Sequence, residues 1–401
     1  MGCRLSNFSK HWVMKILYIT DNRIFGSGGG CLECQKYYDA LSSYCSKKGF
    51  FLQVISLDKN HLELKRKQLV LIKKYRILDF LSRILFHSTF FYFYWLKYKK
   101  QIFDFEPDMI FLERSRLGFI AKSFKLQKKK CIITCCLDNV EYDYVNGYFG
   151  NKNTLFSKFK IWLEKKCVVR DEKNMFNHAD QTIFLTNRDY LRSKELYGYN
   201  KKKQILPICL KKAVSLYNFS KKRTFVFVGS LNYESNLDAI RWFLKNIWIP
   251  SYSENDSIQL IIAGNNPTKE LLDVVLSCKN CVIKKNFDNL ANVIPVYSAL
   301  IAPIQTGAGM KVKVADALSM GAFVIASDEA LVGYEESVSL SEAIYRANTP
   351  NEVFSAMESF LKKTDDDLQR ISEKHKLLYK NFYSYNRSRS FIKNYIDMFL
   401  G

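Results

Sequence analysis

Two hydrophobic rhythms alternate along this chain. Short, predominantly apolar runs occupy residues 15–20, 50–57, 108–112, 131–135 and 181–186, and again 224–228, 259–263 and 299–303. Runs of that length, bounded by turn residues, predict strands buried on both faces, as in a parallel sheet. Between them the apolar positions fall at helical spacing over 32–44, 116–126, about 154–178, 189–197 and 236–246. The last of these turns Leu237, Ile240, Phe243 and Leu244 inward. Strand–helix alternation predicts an α/β protein. The alternation breaks over 201–219, where Pro207 lies near lysine runs, and then restarts. We expect two Rossmann-like, doubly wound domains, over 1–205 and 206–375, with a terminal helix over 376–401 that crosses back to the first. Residues before Met14 read as a tail or a misassigned start. Two such halves imply a crevice between the carboxyl ends of two parallel sheets, where these folds bind ligands.

The densest chemistry lies in Gln305-Thr-Gly-Ala-Gly-Met-Lys-Val-Lys-Val-Ala-Asp-Ala-Leu-Ser-Met-Gly321. Gly307 and Gly309 allow a tight turn and leave amide N–H groups uncovered. A helix is expected from about Met310, stopping at Gly321. A glycine loop feeding a helix start suits an anion, because free N–H groups and the helix dipole both face it. Lys313 and Asp316 are three apart and share a face. Lysine beside a phosphate cradle, with a carboxylate for hydroxyls, fits a nucleotide-sugar. An ordinary strand–turn–helix unit with solvated charges would carry the same letters.

Charge narrows the partners. The 61 lysines and arginines outnumber 39 acids, a net charge of +22. Such an excess calls for an anionic partner: nucleic acid, a membrane surface or phosphorylated small molecules. No folded nucleic-acid motif accompanies it, so a nucleic-acid partner is not expected. The excess peaks over 65–100, with Lys65, Arg66, Lys67, Lys73, Lys74, Arg76, Arg83, Lys97, Lys99 and Lys100 against Asp79. Leu69, Ile72, Ile77, Phe80, Leu81, Ile84 and Leu85 interleave at near-helical spacing, followed by Phe90-Phe-Tyr-Phe-Tyr-Trp-Leu96. That cluster is far short of the ~20 apolar residues that span a bilayer. The pattern predicts a basic amphipathic helix and an aromatic cluster resting on anionic lipid. A core-packing helix with a lysine-rich wet face is the alternative.

Residues 1–10 show no apolar signal-peptide core, so we expect a cytoplasmic protein, peripheral on the inner face of the plasma membrane. The 11 cysteines include two C-x-x-C pairs, Cys31/Cys34 and Cys278/Cys281. Four thiolates could hold zinc, but the pairs fall in different predicted domains, and incidental reduced cysteines are preferred. Asp365-Asp-Asp367 follows Thr364 before a helical stretch and reads as a capped helix start. No metal or cofactor is expected.

In this order the motifs resemble those of GT-B glycosyltransferases, specifically the family 4-like retaining enzymes of bacterial capsule and O-antigen assembly. Met14-Lys-Ile-Leu-Tyr-Ile-Thr20 with Gly28, Gly29 and Gly30 resembles that family's first strand and glycine loop. Pro107-Asp-Met-Ile-Phe-Leu-Glu113 and Asp138-Asn-Val-Glu141 resemble a later strand and an H-N-V-E segment. Val228-Gly-Ser-Leu231 with Asn236-Leu-Asp-Ala-Ile-Arg-Trp242 resembles the opening of its C-terminal domain, and 302–316 its donor loop and helix.

The resemblance implies transfer of a sugar, with retention, from a nucleoside diphosphate to a lipid-linked or oligosaccharide acceptor. Lys313 would neutralise the leaving diphosphate, with Lys311 beside it. Gly307, Ala308, Gly309 and Met310 would offer N–H groups, and Gly229, Ser230 and Asn236 would approach from the facing loop. Asp316 would bond ribose or sugar hydroxyls, and the base would pack near Phe287. Gly28 to Gly30, Asp138, Asn139 and Glu141 would meet the acceptor, with Asp138 as its base. Two departures stand out: Asp138 replaces the family's histidine, and Ala308 takes a position where many relatives have glutamate.

Two other readings compete. A nicotinamide enzyme is disfavoured because Cys31 breaks G-x-G-x-x-G spacing and Asp58 comes late for a ribose ligand. A catalytically weak GT-B-like shell docking a partner at the membrane would account for the two departures but not for Lys313, Asp316 and the glycine loops.

Overall fold

The computed structural model describes residues 13–26, 28–57, 69–71, 76–149, 155–211, 220, 222–285, 287, 290 and 293–400. Expectations that rest on Ser27, Asp58, Lys65, Arg66, Lys67, Ile72, Lys73, Lys74 and Asn286 lie outside those residues. The chain divides into two compact units.

The first unit holds seven strands: β1 Lys15–Thr20, β2 Phe51–Ser56, β3 Leu69–Leu71, β4 Met109–Glu113, β5 Ile132–Leu137, β6 Gln181–Phe184 and β7 Gln204–Ile205. Their order is β3-β2-β1-β4-β5-β6-β7. Every pairing is parallel, with Ile16 of β1 level with Leu52 of β2 and Met109 of β4. Order reverses between β1 and β4, the switch point at which such sheets open for ligands. Alternate residues feed two cores. Leu17, Ile110 and Leu112 face Trp95, Phe103 and Phe124; Tyr18 and Phe111 face Tyr37, Leu41 and Tyr395.

The second unit holds six: β8 Arg223–Val228, β9 Ile258–Ala263, β10 Cys281–Lys284, β11 Ala299–Ala302, β12 Phe323–Ala326 and β13 Ile344–Arg346. The order is β10-β9-β8-β11-β12-β13, again wholly parallel, with its switch between β8 and β11. The expected α/β architecture of two doubly wound sheets is therefore present.

Five expectations need correction. The basic amphipathic helix is not continuous: Leu69–Leu71 pair with β2, and the helix occupies only Arg76–Ile84. The aromatic cluster is not a wet surface, since Phe90, Phe91 and Trp95 are buried in the first core. And the glycine loop is shorter than expected, because Gly29 and Gly30 already lie in the helix Gly29–Lys48. The division also falls later than 205 and the return later than 376. The first unit comprises 1–209 with 385–401, the second 210–384. The reason is packing: the helix Asp365–Leu378 lies on Val312–Met320, whereas Tyr385–Leu400 lies on Gly29–Lys48. The acidic run is a helix cap as expected, with Thr364 and Asp367 closing a capping box.

Candidate functional site

In the second unit the loops after β8 and β11 flank the switch point, and the residues singled out there converge. Gly307 and Gly309 turn the chain at φ of 149° and 64°, conformations that L side chains rarely adopt. Ser235 Oγ donates to the Thr306 carbonyl, tying the loop after β11 to the helix Glu234–Phe243 after β8. The following helix, Val312–Met320, starts two residues after Met310 and ends at Gly321 with φ of 74°.

Lys313 occupies the centre of this cluster. Its Nζ donates to Asn236 Oδ1 at 2.8 Å and stands 4.8 Å from the centre of the Phe227 ring. Asn236 Nδ2 in turn donates to the Ser230 carbonyl at 3.0 Å. The Asn236 amide lies where a side chain on Gly229 would project. Burial, seconded by the neighbouring Lys311, pushes Lys313 down to about 7. Burial likewise pushes the Asp316 carboxyl up to about 7. Among the described residues Lys313 has no carboxylate partner within salt-bridge reach. Lys311 does: its Nζ meets Glu329 Oε1 at 2.8 Å and the carbonyls of Ala308 and Gly309 at 3.3 and 3.0 Å. Lys311 thus braces the loop, while Lys313 is desolvated and held by Asn236.

A cavity of about 370 Å³ adjoins this loop, lined by Trp242, Gln305, Ser327, Asp328, Glu329 and Asn348 among others. Phe287 follows β10, the edge strand of this sheet, with β9 and β8 between that strand and β11.

In the first unit, charged groups gather at the carboxyl ends of β1, β4 and β5. Asp138 follows β5, and its Oδ2 lies 3.3 Å from Arg114 Nε. Arg114 Nη1 lies 3.9 Å from Asp21, which follows β1. Arg114 itself has φ of 80°, a strained value for a residue with a side chain. Gly30 makes room for it: a Cβ there would sit 2.5 Å from Arg114 Nη2 and 2.7 Å from Asn22 Nδ2. Gly28 is the N-cap of that helix.

Burial pushes Asp138 up to about 7, with Arg114 opposing the rise. Glu113 is buried and held well above the carboxylate range, first by burial and then by Glu33 and Asp138. Asp21 Oδ1, Glu113 Oε1, Asp138 Oδ1 and Asn139 Oδ1 are buried without a hydrogen-bond partner among the described residues. Leaving such oxygens without a donor is costly. Glu141 is otherwise engaged. Its carboxylate takes Arg116 at 2.6 Å, and it opens the helix Glu141–Phe149, whose first N–H groups are held by buried Glu172.

Arg114, Glu113, Asp21 and Glu329 do not stand out in the sequence as site residues. Arg114 directly follows an apolar strand, and that is the one local signal it carries. Among the described residues no group of three or more His, Cys, Asp or Glu is arranged to hold a metal. Cys34 is buried, its Sγ 3.2 Å from Thr20 Oγ1.

Residues 222–363 match the family described as "Glycosyl transferases group 1". An uncharacterized 44.6 kDa protein in the cps region of Klebsiella pneumoniae is 25% identical over 228 residues, 55% of this chain. The match spans 57% of that relative's length. Among solved structures, WaaG, a glycosyltransferase involved in lipopolysaccharide biosynthesis, aligns with a TM-score of 0.65 at 12% identity, over 96% of this chain and 100% of that one. Anabaena Alr3699/HepE in complex with UDP and glucose aligns with a TM-score of 0.60 at 12% identity, over 96% and 99%. Likeness at such low identity speaks for the fold, and the domain match adds the lineage. Residues 222–363 are thus similar to the group 1 glycosyl transferase domain, and the chain has the GT-B fold of these solved structures.

Proposed function

We propose that the protein transfers a sugar from a nucleoside-diphosphate donor to a lipid-linked or oligosaccharide acceptor, with retention, in the assembly of a cell-surface polysaccharide. The observation that carries this reading is Lys313. It is a desolvated lysine without a carboxylate partner, held by Asn236 beside the Gly307–Gly309 turn and the helix start at Val312. The acceptor oxygen bonds to the anomeric carbon while the bond from that carbon to the β-phosphate oxygen breaks. Negative charge then collects on the leaving diphosphate. Lys313 and the loop's N–H groups stabilise it without a metal, each strong donor contributing a few kcal/mol at most (about 3). Asp316 is the hydroxyl partner on the same helix face.

In the first unit Asp138 is the group suited to receive the acceptor's proton, with Arg114 setting its orientation. Capsule or lipopolysaccharide assembly fits the genomic and structural kin, and UDP is the first donor nucleotide to test because Alr3699/HepE binds it. We place the reaction at the cytoplasmic face of the membrane, where nucleotide-sugars are made.

The test is donor hydrolysis and transfer with a panel of nucleotide-sugars, ranked first by thermal shift. Lys313→Ala is expected to lower turnover by roughly 10²-fold. Full donor binding and turnover in that variant would remove Lys313 from the site.

A further inference from the structure

We propose that the second unit carries a site for an uncharged saccharide in the cavity of about 370 Å³ at the carboxyl ends of β11, β12 and β13, separate from the place of Lys313. This goes beyond the sugar-transfer reading and does not depend on it: the occupant is a plain sugar ring, not a nucleotide-sugar. The volume is near the low end of the ~300–1,000 Å³ of small-molecule sites and suits a ligand of that size.

The strand order sets the two places apart. Pro303, Ile304 and Gln305 follow β11, Ser327 to Glu329 follow β12, and Asn348 follows β13. Lys313 faces the other way, towards Phe227 of β8 and Asn236. Trp242 comes from the helix Glu234–Phe243, seven residues after Ser235, so both lie on one face of it. Ser235 Oγ holds the Thr306 carbonyl, and this brings the indole to the cavity wall beside Gln305.

Charge and shape decide the occupant. Both carboxylates of the wall already have cations: Asp328 meets Arg346 at 3.1 Å and Glu329 meets Lys311 at 2.8 Å. The other wall residues are uncharged. In a chain of net charge +22 this wall is balanced, and an anion entering it meets carboxylates whose cations are engaged. The polar groups are also fixed in place. Asn348 Nδ2 donates to Asp328 Oδ2 at 3.1 Å, and Asn348 Oδ1 accepts from the Asp328 N–H at 2.9 Å. The Asn348 N–H donates to Glu352 Oε2 at 2.7 Å, and Ser327 Oγ donates to the Ile304 carbonyl. Such pre-organisation cuts the cost of ordering side chains on binding. The wall thus presents an indole, carboxamides and carboxylate oxygens with lone pairs to spare. A pyranose matches that set. Its hydroxyls donate and accept around the edge, and its C–H face is the weakly positive surface that an indole face attracts.

The experiment titrates the full chain with methyl glycosides of glucose, galactose, mannose and N-acetylglucosamine, read by saturation-transfer NMR and tryptophan fluorescence. Binding of at least one is expected at roughly millimolar Kd, in keeping with an open site that forms no ion pair with its ligand. Trp242→Phe should remove the fluorescence change, and Trp242→Ala should weaken binding at least about tenfold. Gln305→Ala, at an exposed position, should weaken it roughly threefold with an unchanged melting temperature. Methyl glucuronide and glucose 1-phosphate should bind less well than methyl glucoside. UDP, or whichever nucleoside diphosphate the thermal-shift panel selects, should leave the glycoside signals in place and bind wild type and both alanine variants alike. Absence of binding by every glycoside, preference for the charged sugars, or binding unaltered in both alanine variants would overturn the proposal. So would displacement by the nucleoside diphosphate, because the cavity would then be part of the donor site. Lys313→Ala tests the transferase reading by itself, so the two fates are read apart.

Discussion

Lys313 and Asp138 have opposite ordinary charges, and burial brings both to titrate at about 7. For Lys313 the folded value lies below the unfolded one, so the unfolded chain binds the extra proton between pH about 7 and 10.5. Stability therefore rises with pH across that window, and below it the cost of burying a cation is fully present. Lys313→Met should accordingly stabilise the second unit near neutrality by on the order of 1 kcal/mol, discounted for partial solvent contact, while lowering turnover as Lys313→Ala does. A diphosphate restores the charged form, so nucleoside-diphosphate binding at pH 8 should take up a proton. Calorimetry in buffers of different ionisation enthalpy reads this directly, and a proton balance of zero would contradict it. Asp138 has the reverse sign, its folded value being raised above 3.8. It is competent as a base only once pH passes about 7, so turnover should rise through that range. Asp138→Asn should flatten that limb and lower the rate by roughly 10²-fold. Arg114 opposes the rise, so Arg114→Met should move the limb to higher pH; a pH–rate profile unmoved in that variant would deny Arg114 its role. Lys313 was singled out because a glycine loop and a helix start flank it in sequence, and Asp138 because Asp138-Asn-Val-Glu141 resembles a family segment. Arg114 was not, since its importance comes from Asp21 and Asp138, which lie far off along the chain.

At the scale of elements, capping and periodicity were readable and side-chain exposure was not. Gly321 is recognisable as a helix stop, and it has the left-handed conformation expected. Tertiary packing adds a second demand, because a Cβ there would lie 2.1 Å from Ser372 Oγ and 2.8 Å from its carbonyl, on the helix Asp365–Leu378. Gly321→Ala should therefore cost about 2–4 kcal/mol, more than backbone strain alone, read as a lower denaturation midpoint for the second unit. A cost confined to about 1 kcal/mol would mean that the helix moves aside. The stretch 65–100 shows the limit of periodicity. Its apolar spacing was compatible with one helix, yet Leu69–Leu71 find an edge to pair with on β2, and Phe90, Phe91 and Trp95 find a core. Helical spacing marks one face as apolar, and only the neighbours decide whether that face is covered.

For the whole molecule, the two units are distinct bodies of contacts joined by two chain crossings. The last helix completes the first unit: Ile392, Tyr395 and Ile396 are in its core, and Tyr395 OH lies 2.8 Å from Thr134 Oγ1. Deleting residues 385–401 should therefore lower the melting transition of the first unit and leave that of the second in place. Differential scanning calorimetry separates the cases, and equal loss in both would show a single cooperative fold. Net charge also belongs to this scale. The excess of cations was evident from composition, but its placement depended on three acids of one helix turning inward.

The sequence by itself determined the alternation of strand and helix, the two-sheet architecture, the glycine turn before Val312 and the place of Lys313 and Asp316 on the helix that follows it. These follow from periods, turn residues and side-chain types, which are local properties of the chain. Only the tertiary structure decided the strand order that puts the loops after β8 and β11 side by side, the desolvation that shifts Lys313, Asp316 and Asp138, the orphaned oxygens around Arg114, and which apolar residues stay in water. Each of these depends on groups distant in sequence becoming neighbours in space, and no local pattern encodes that pairing.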